Sequence, residues 1–435
     1  MKEFLKKNYR YFFLFLFALL INLLCHERFY DGLTQYGMAH ALRIGELPYR
    51  DFNTIVPPLY IFICMIPLLL WDNFFVFLIL NSVFYTFLYY FADKILEKRK
   101  LTFFLVSLLP LFDIISPSYN LLAKLFVVIL IFMEKEKKSD ISIGVVLGLL
   151  ILTKHSIGLC IFLCSLFCCR KWRSAFQRFL GVLLPLVVFF IYLILTNTFS
   201  SFYDLCILGL FNFGKKNTSS VLLIVIFSLS ILIFYFVFLL RHKREDNFVI
   251  YYAIGSFSFL IPIFNFSHFS GFFFFFLLVI FMKYKFPFHG KLLSVFLIGL
   301  VSFLFFFSGV VNFQNLTLRN YPHLFFFFES YPEQEKLIEY YEKKYPNSIM
   351  IDAWSMKYDI ATNKKITYFD VPLTGNYGYL GTQNMIQRLK KDTYFFISKY
   401  YESSFVDQFD RELCQYVIDN SELVDSVGEF NIYYY

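Results

Sequence analysis

Residues 31–59 read DGLTQYGMAHALRIGELPYRDFNTIVPPL, and this stretch decides how the chain is organised. It lies just behind an apolar run at 9–25, which is itself preceded by Lys2, Lys6, Lys7 and Arg10. It carries Asp31, His40, Arg43, Glu46, Arg50 and Asp51, then closes on Pro57 and Pro58, which open a second apolar run at 57–71. Ionisable side chains are expensive inside a bilayer, so a charged segment of this length belongs at a membrane surface. No small-residue cleavage site follows the first run, which therefore reads as an uncleaved span and not as a signal peptide.

Composition agrees. Of 435 residues, 58% are hydrophobic, 63 are Phe and only 17% are charged, more apolar surface than a soluble domain can hide. Seven of the eight cysteines sit in apolar runs and no CxxC occurs, which excludes a disulfide framework. Apolar runs at 9–25, 74–92, 101–116, 121–133, 141–153, 156–169, 178–195, 221–240, 248–264, 271–282 and 292–311 are candidate spans. Alternate loops hold 21 Lys/Arg against six on the opposite side, which puts the rich side and the N-terminus in the cytoplasm. That alternation holds only if 57–71 does not fully cross. The expected fold is thus an α-helical multispanning membrane protein of eleven spans, or twelve if 57–71 crosses, with juxtamembrane helices in a first external loop, 26–73.

The membrane part is 1–311. From 312 the chain turns polar, with 12 Lys/Arg against 17 Asp/Glu, so the net charge of +8 comes from loop ends in the membrane part. Nucleic-acid binding is not implied. The pattern predicts a small extracytoplasmic α/β domain over 312–435, with helices at 333–344 and 382–391. Strands are expected at 348–353, 366–370 and 393–398, with a hairpin around Gly428 at 423–435.

Sorting polar residues by side gathers candidates on the outer face. They are Asp31 and its loop companions; Asp113, Tyr119 and Asn120; Lys154 and His155; Asp204, Lys215 and Lys216; and Asn265 and His268. A carboxylate there suits a general base on an acceptor hydroxyl. Lys, Arg and His suit a phosphate. Bland alternatives stand beside these readings. Asp31 also fits the start of a surface helix over 31–44, Asp51 fits a solvated pair with Arg50 or Arg43, and Lys154 and His155 fit a snorkelling span end. His268 fits a loop histidine, and 374–378, TGNYG, fits either an acceptor-binding loop or an ordinary one.

The spacing D-x4-Y-x2-A-x2-L-x2-G-x2-PYRD-x5-PPL resembles the first external loop of the GT-C superfamily of membrane glycosyltransferases, which includes protein O-mannosyltransferases and aminoarabinose transferases. The resemblance covers roughly 9–170. It implies an inverting transfer of a sugar from a polyprenyl-phosphate donor to an extracytoplasmic glycan, protein or lipid acceptor at the cell membrane. It assigns Asp31 as catalytic base, and Lys154, in a Leu-Thr-Lys turn, as a contact to the donor phosphate. His155, Arg50, Asp51, Tyr119, Asn120 and His268 complete the expected substrate-binding set. Two positions depart from the pattern. Val56 replaces a Lys before the Pro pair, and Asn120 replaces a second acid, which argues against a two-carboxylate or metal-dependent mechanism; a divalent metal stays open as an unsupported alternative, and no other cofactor is expected. The rival readings are a polysaccharide polymerase or ligase, which predicts a large late external loop, and a transporter or flippase without chemistry, which predicts mid-membrane charge pairs and inverted repeats.

Overall fold

The computed structural model describes residues 2–25, 30–96, 118–211, 222–241, 247–261, 266–283, 316–321, 324–329, 332–351, 355–361, 364–370, 376–399, 401 and 411–435. The expected spans at 101–116 and 292–311 lie outside these residues, as do Asp113, Lys215, Lys216 and Asn265. The protein is mostly helical with a small mixed sheet.

Helix α1 (Lys2–Cys25) lies antiparallel to α4 (Phe74–Ile95), stitched by Tyr11 Oη donating to Asp93 at 2.8 Å and Asn22 to Ser82 at 3.2 Å. Between them sit α2 (Tyr30–Arg43) and α3 (Leu59–Leu68). The ten residues of α3 rise about 15 Å, roughly half a bilayer core. Tyr60, in its first turn, bonds Asn81 of α4 at 2.6 Å, and α4 itself starts at Asn73, whose side chain accepts the Phe75 N–H.

Four more helices continue the layer: α5 (Tyr119–Lys135), α6 (Asp140–Thr153), α7 (His155–Leu166) and α8 (Trp172–Leu195). Ser139 caps α6 by accepting the Ser142 N–H. Helices α6 and α8 meet along glycines. A Cβ on Gly144 would overlap the Arg178 carbonyl, and one on Gly181 the Ile141 carbonyl, while Gly148 lies against Pro185. This small-xxx-small seam lets backbones touch, the packing that helices use where no water drives them together. A short helix α9 (Phe199–Phe202) runs into a π-turn, Tyr203–Leu208. Helices α10 (Leu222–Arg241), α11 (Phe248–Gly255) and α12 (Phe266–Lys283) follow, α11 running on into a 3₁₀ turn, Ser256–Leu260.

Among the described residues, two helices, α4 and α8, are long and apolar enough to cross a membrane. Eight shorter apolar stretches accompany them, including α3, α6 and α7. The outer face of α8 leaves Phe179, Leu184, Val188, Phe190 and Leu195 exposed.

The opposite ends of the layer differ. At one end Arg178 donates to both oxygens of Glu134 (2.6 and 3.1 Å), to Asp140 (2.8 Å) and to the Ser165 carbonyl (2.9 Å), and Tyr252 adds a bond to Glu134. Lys135 donates to the Ile95 carbonyl there. The other end carries the 44–58 loop, the α6–α7 junction and the C-terminal domain.

That domain holds a hairpin, β1 (Leu316–Tyr321) with β2 (Leu324–Glu329), and a four-stranded sheet. The sheet order is β3 (Ser348–Ile351), β4 (Tyr394–Ser398), β6 (Phe430–Tyr434), β5 (Glu422–Val427), with β3 parallel to β4 and the others antiparallel. Helices α13 (Pro332–Lys344), α14 (Ser355–Ala361), α15 (Thr382–Ile386) and α16 (Arg411–Asp419) complete it. The helix at 333–344, the strands near 348 and 394 and the hairpin at Gly428 follow the sequence pattern.

The segment 366–370 does not form a strand. The Asp370 carboxylate accepts the Thr367 N–H, Thr367 Oγ1 accepts the Phe369 N–H, and the chain turns. Ile366 is buried with Met356 against Gly37 of α2 instead of in the sheet. The predicted helix 382–391 stops at Ile386.

The domain is seated on the helical layer. Asp204 in the π-turn accepts the Tyr379 N–H at 3.1 Å, Gly378 approaches Gly209, and Asn53 reaches Met385. Gly378 has φ +78°, and a Cβ there would collide with Asp204, so glycine is required twice over.

Candidate functional site

Lys154 is the single non-helical residue between α6 and α7, extended at φ −151°, ψ 99°. The reversal is tight because Gly158 lies on the Ile151 backbone, where any Cβ would overlap it. The turn projects Lys154 at the loop end of the layer yet leaves it only 5% exposed. Its ammonium donates to Asn120 Oδ1 at 2.9 Å, 5.6 Å from the Tyr119 ring centroid and 6.0 Å from that of Phe259. Aromatic faces at that distance attract a cation.

Lys124 stands one helical turn beyond Asn120 on α5, on the same face, and is 2% exposed. Its stem passes Gly271 of α12, where an added Cβ would meet Lys124 Cε at 3.1 Å. His268, one turn earlier on α12, lies within electrostatic reach of both Lys124 and Lys154. Of the residues expected to bind substrate, the fold therefore joins Lys154, Asn120, Tyr119 and His268, and adds Lys124. Two ammonium groups and an imidazole gathered in an apolar setting attract an anion, and such cations stabilise charge developing on an oxygen.

His155 goes elsewhere. It is buried, and its ring faces the Cys206 backbone as a hydrogen-bonding neighbour. Cys206 in turn bonds the Thr54 carbonyl, and Tyr49 Oη spans Cys206 Sγ (3.4 Å) and the Val56 carbonyl (2.9 Å). His155 thus links the Lys154 turn to the underside of the 44–58 loop. Tyr49 takes φ +69°, a left-handed conformation rare for a bulky residue and held here by its buried hydroxyl.

Arg50 is drawn to its neighbour. It binds Asp51 through Nε and Nη2 at 2.8–3.1 Å, in an exposed pair whose Asp51 also accepts the Leu47 N–H. Partial burial opposes ionisation, but the guanidinium and the N–H outweigh it and hold the Asp51 carboxyl below its ordinary range. The solvated-pair alternative fits this geometry. Asp31 falls in the first turn of α2, one residue inside the helix and not at its N-cap, and its side chain lies outside the described residues. Of 374–378, only 376–378 are described; Tyr377 and Asn376 are buried and Gly378 forms the domain contact, the role of an ordinary structural loop.

Two carboxylates carry more than the sequence reading gave them. Asp72, at the α3–α4 corner, is buried and accepts from Tyr36 Oη (3.2 Å), Arg43 Nη1 (3.0 Å) and His40 Nδ1 (2.7 Å). The signal was available: 36, 40 and 43 share one face of a helix over 30–43. Glu46 is 6% exposed, with Oε2 unpartnered among the described residues. Burial pushes its carboxyl up to about 7, opposed by Lys365 and His40 and reinforced by Asp51 and Asp370. In the C-terminal domain, burial beside Asp370 and Glu342 also pushes Asp359 well above its ordinary range. Among the described residues, no group of three His, Cys, Asp or Glu side chains is arranged to hold a metal ion. Comparison of the chain with protein-family models, with curated proteins and with solved structures returned no match.

Proposed function

We propose that the protein is a membrane glycosyltransferase that takes a sugar from a polyprenyl-phosphate donor and delivers it to an extracytoplasmic acceptor. The observation that carries this reading is the Lys154 turn, where two buried lysines and a histidine gather beside Asn120 at the loop end of the helical layer. A phosphate on a lipid tail suits such a site, because its charge meets the cations while its tail lies along apolar helices.

In the proposed step, the Asp31 carboxylate takes the proton of the acceptor hydroxyl. The acceptor oxygen attacks the anomeric carbon, the bond from that carbon to the phosphate oxygen breaks, and the electron pair leaves on the phosphate. Lys154, with Lys124 and His268, stabilises that charge.

The same reading gives the chain eleven spans, an internal N-terminus and an external C-terminal domain. Helix directions support it. The Ile95 carbonyl and Lys135 meet at the Arg178 end, whereas Asn120 and Lys154 meet at the other. Exposed Ile66, Leu69, Leu70 and Trp71 on and after α3 suit a helix resting in the outer leaflet.

The test uses membranes containing the full chain and a radiolabelled pool of undecaprenyl-phosphate hexoses and pentoses. The wild type is expected to move label to an acceptor with release of undecaprenyl phosphate, and Asp31→Asn to lose transfer. Transfer by Asp31→Asn at the wild-type rate removes Asp31 as the base.

A further inference from the structure

Glu46 is the described loop carboxylate whose setting calls for a ligand. It sits between Gly45, at φ +96°, and Leu47, directly after α2. Its oxygen Oε2 is buried and bonded to nothing among the described residues. A buried acceptor without a donor is costly, and native structures keep few of them. The neighbouring charges come from three elements: His40 on α2, Asp51 in the loop, and Lys365 and Asp370 in the turn of the C-terminal domain. Glu46 therefore stands where the 44–58 loop meets residues 364–370, the seam between the membrane part and the external domain.

The charge in that seam selects its ligand. With Asp51 paired to Arg50, Glu46 and Asp370 outnumber Lys365 in the seam and disfavour a phosphate, so the donor's anionic end belongs with Lys154 and Lys124. What a carboxylate with a vacant acceptor oxygen takes is an O–H donor. Carbohydrate supplies such donors in number. We infer that Glu46 is a carbohydrate-binding residue, whose free oxygen accepts a hydrogen bond from a hydroxyl of the transferred sugar or of a glycan acceptor in the seam between the first loop and the C-terminal domain. This rests on the transferase reading.

The experiment compares wild type, Glu46→Gln and Glu46→Asp as full chains in nanodiscs. It measures half-saturating amounts of the labelled undecaprenyl-phosphate sugar pool and of acceptor membranes, together with the melting temperature at pH 5 and pH 8. The inference expects Glu46→Gln to raise one half-saturation value about tenfold with the maximal rate reduced less. A change for the donor identifies the transferred sugar, and a change for the membranes identifies the acceptor. It also expects Glu46→Gln to melt at or above the wild-type temperature at pH 8. Unchanged half-saturation values overturn it, and so does a lower melting temperature for Glu46→Gln, which makes Glu46 a structural group whether or not transfer is seen. A wild type that transfers nothing sinks the transferase reading and this inference with it, while wild-type transfer unmoved by Glu46→Gln sinks the inference alone.

Discussion

The two ends of the helical layer use charge in opposite ways. At the Arg178 end, one guanidinium meets two carboxylates, a carbonyl and, through Glu134, a tyrosine, so each charge has an opposite. At the Lys154 end, two buried lysines and a histidine gather, and Glu46 keeps a buried carboxylate oxygen without a partner among the described residues. A closed network of the first kind fixes helix positions. An arrangement of the second kind raises the free energy of the resting protein and is kept where a ligand completes it. The contrast separates a structural clamp from a candidate site using the same residue types.

The sharpest way to break the contrast is at the clamp. Arg178→Met leaves Glu134 and Asp140 without their cation and is expected to cost about 3–5 kcal/mol, read as a lower melting temperature in detergent. A melting temperature equal to the wild type would mean that the network closes nothing. At the other end Lys154→Met is expected to lower transfer about 100-fold, the scale for losing one donor to a developing oxyanion, with the melting temperature little changed. If stability falls as far as in Arg178→Met, the two ends do not differ in kind.

Glu46 gives a pH test. Its carboxyl ionises near 4.5 when unfolded and at about 7 when folded. Between those values the native state holds the extra proton, so stability is full below about pH 4.5 and falls as pH rises towards 7, by up to about 3 kcal/mol. Glu46→Gln is expected to remove that fall, and denaturation midpoints at pH 5 and pH 8 measure it. Identical pH dependence in the two proteins would show that the carboxyl is not perturbed.

Smaller effects follow from packing. Gly144→Leu forces α6 from α8 and is expected to destabilise by about 2 kcal/mol, seen as a lower melting temperature. Tyr36→Phe removes one of the donors to Asp72 and is expected to cost about 1 kcal/mol by the same measurement.

Much of this was legible in the chain. Apolar runs gave the described helices of the layer, although α1, α8 and α12 begin five to seven residues before their runs, because hydropathy marks the apolar stretch and not the polar turn that starts a helix. The Leu-Thr-Lys turn and Gly158 pointed to Lys154, and the polar position at 120 proved to be its partner. What was not legible depends on distant contacts. Asp72 lies 29 to 36 residues from Tyr36, His40 and Arg43, so its role appears only when α3 folds back beside α4. The strand expected at 366–370 became a turn because Ile366 found a better apolar partner on α2 than in the sheet. Glu46 looked like one more loop charge until the C-terminal domain closed over it. Asp51 had two candidate cations in sequence, Arg43 and Arg50, and its immediate neighbour Arg50 holds it.

The most direct test of the account is acceptor-dependent release of free undecaprenyl phosphate from the labelled donor pool by the full chain in vesicles, with wild type and Lys154→Met side by side. The account predicts release by the wild type that requires acceptor membranes and nearly disappears in Lys154→Met. Release that is absent from the wild type, or equal in the two proteins, would contradict it.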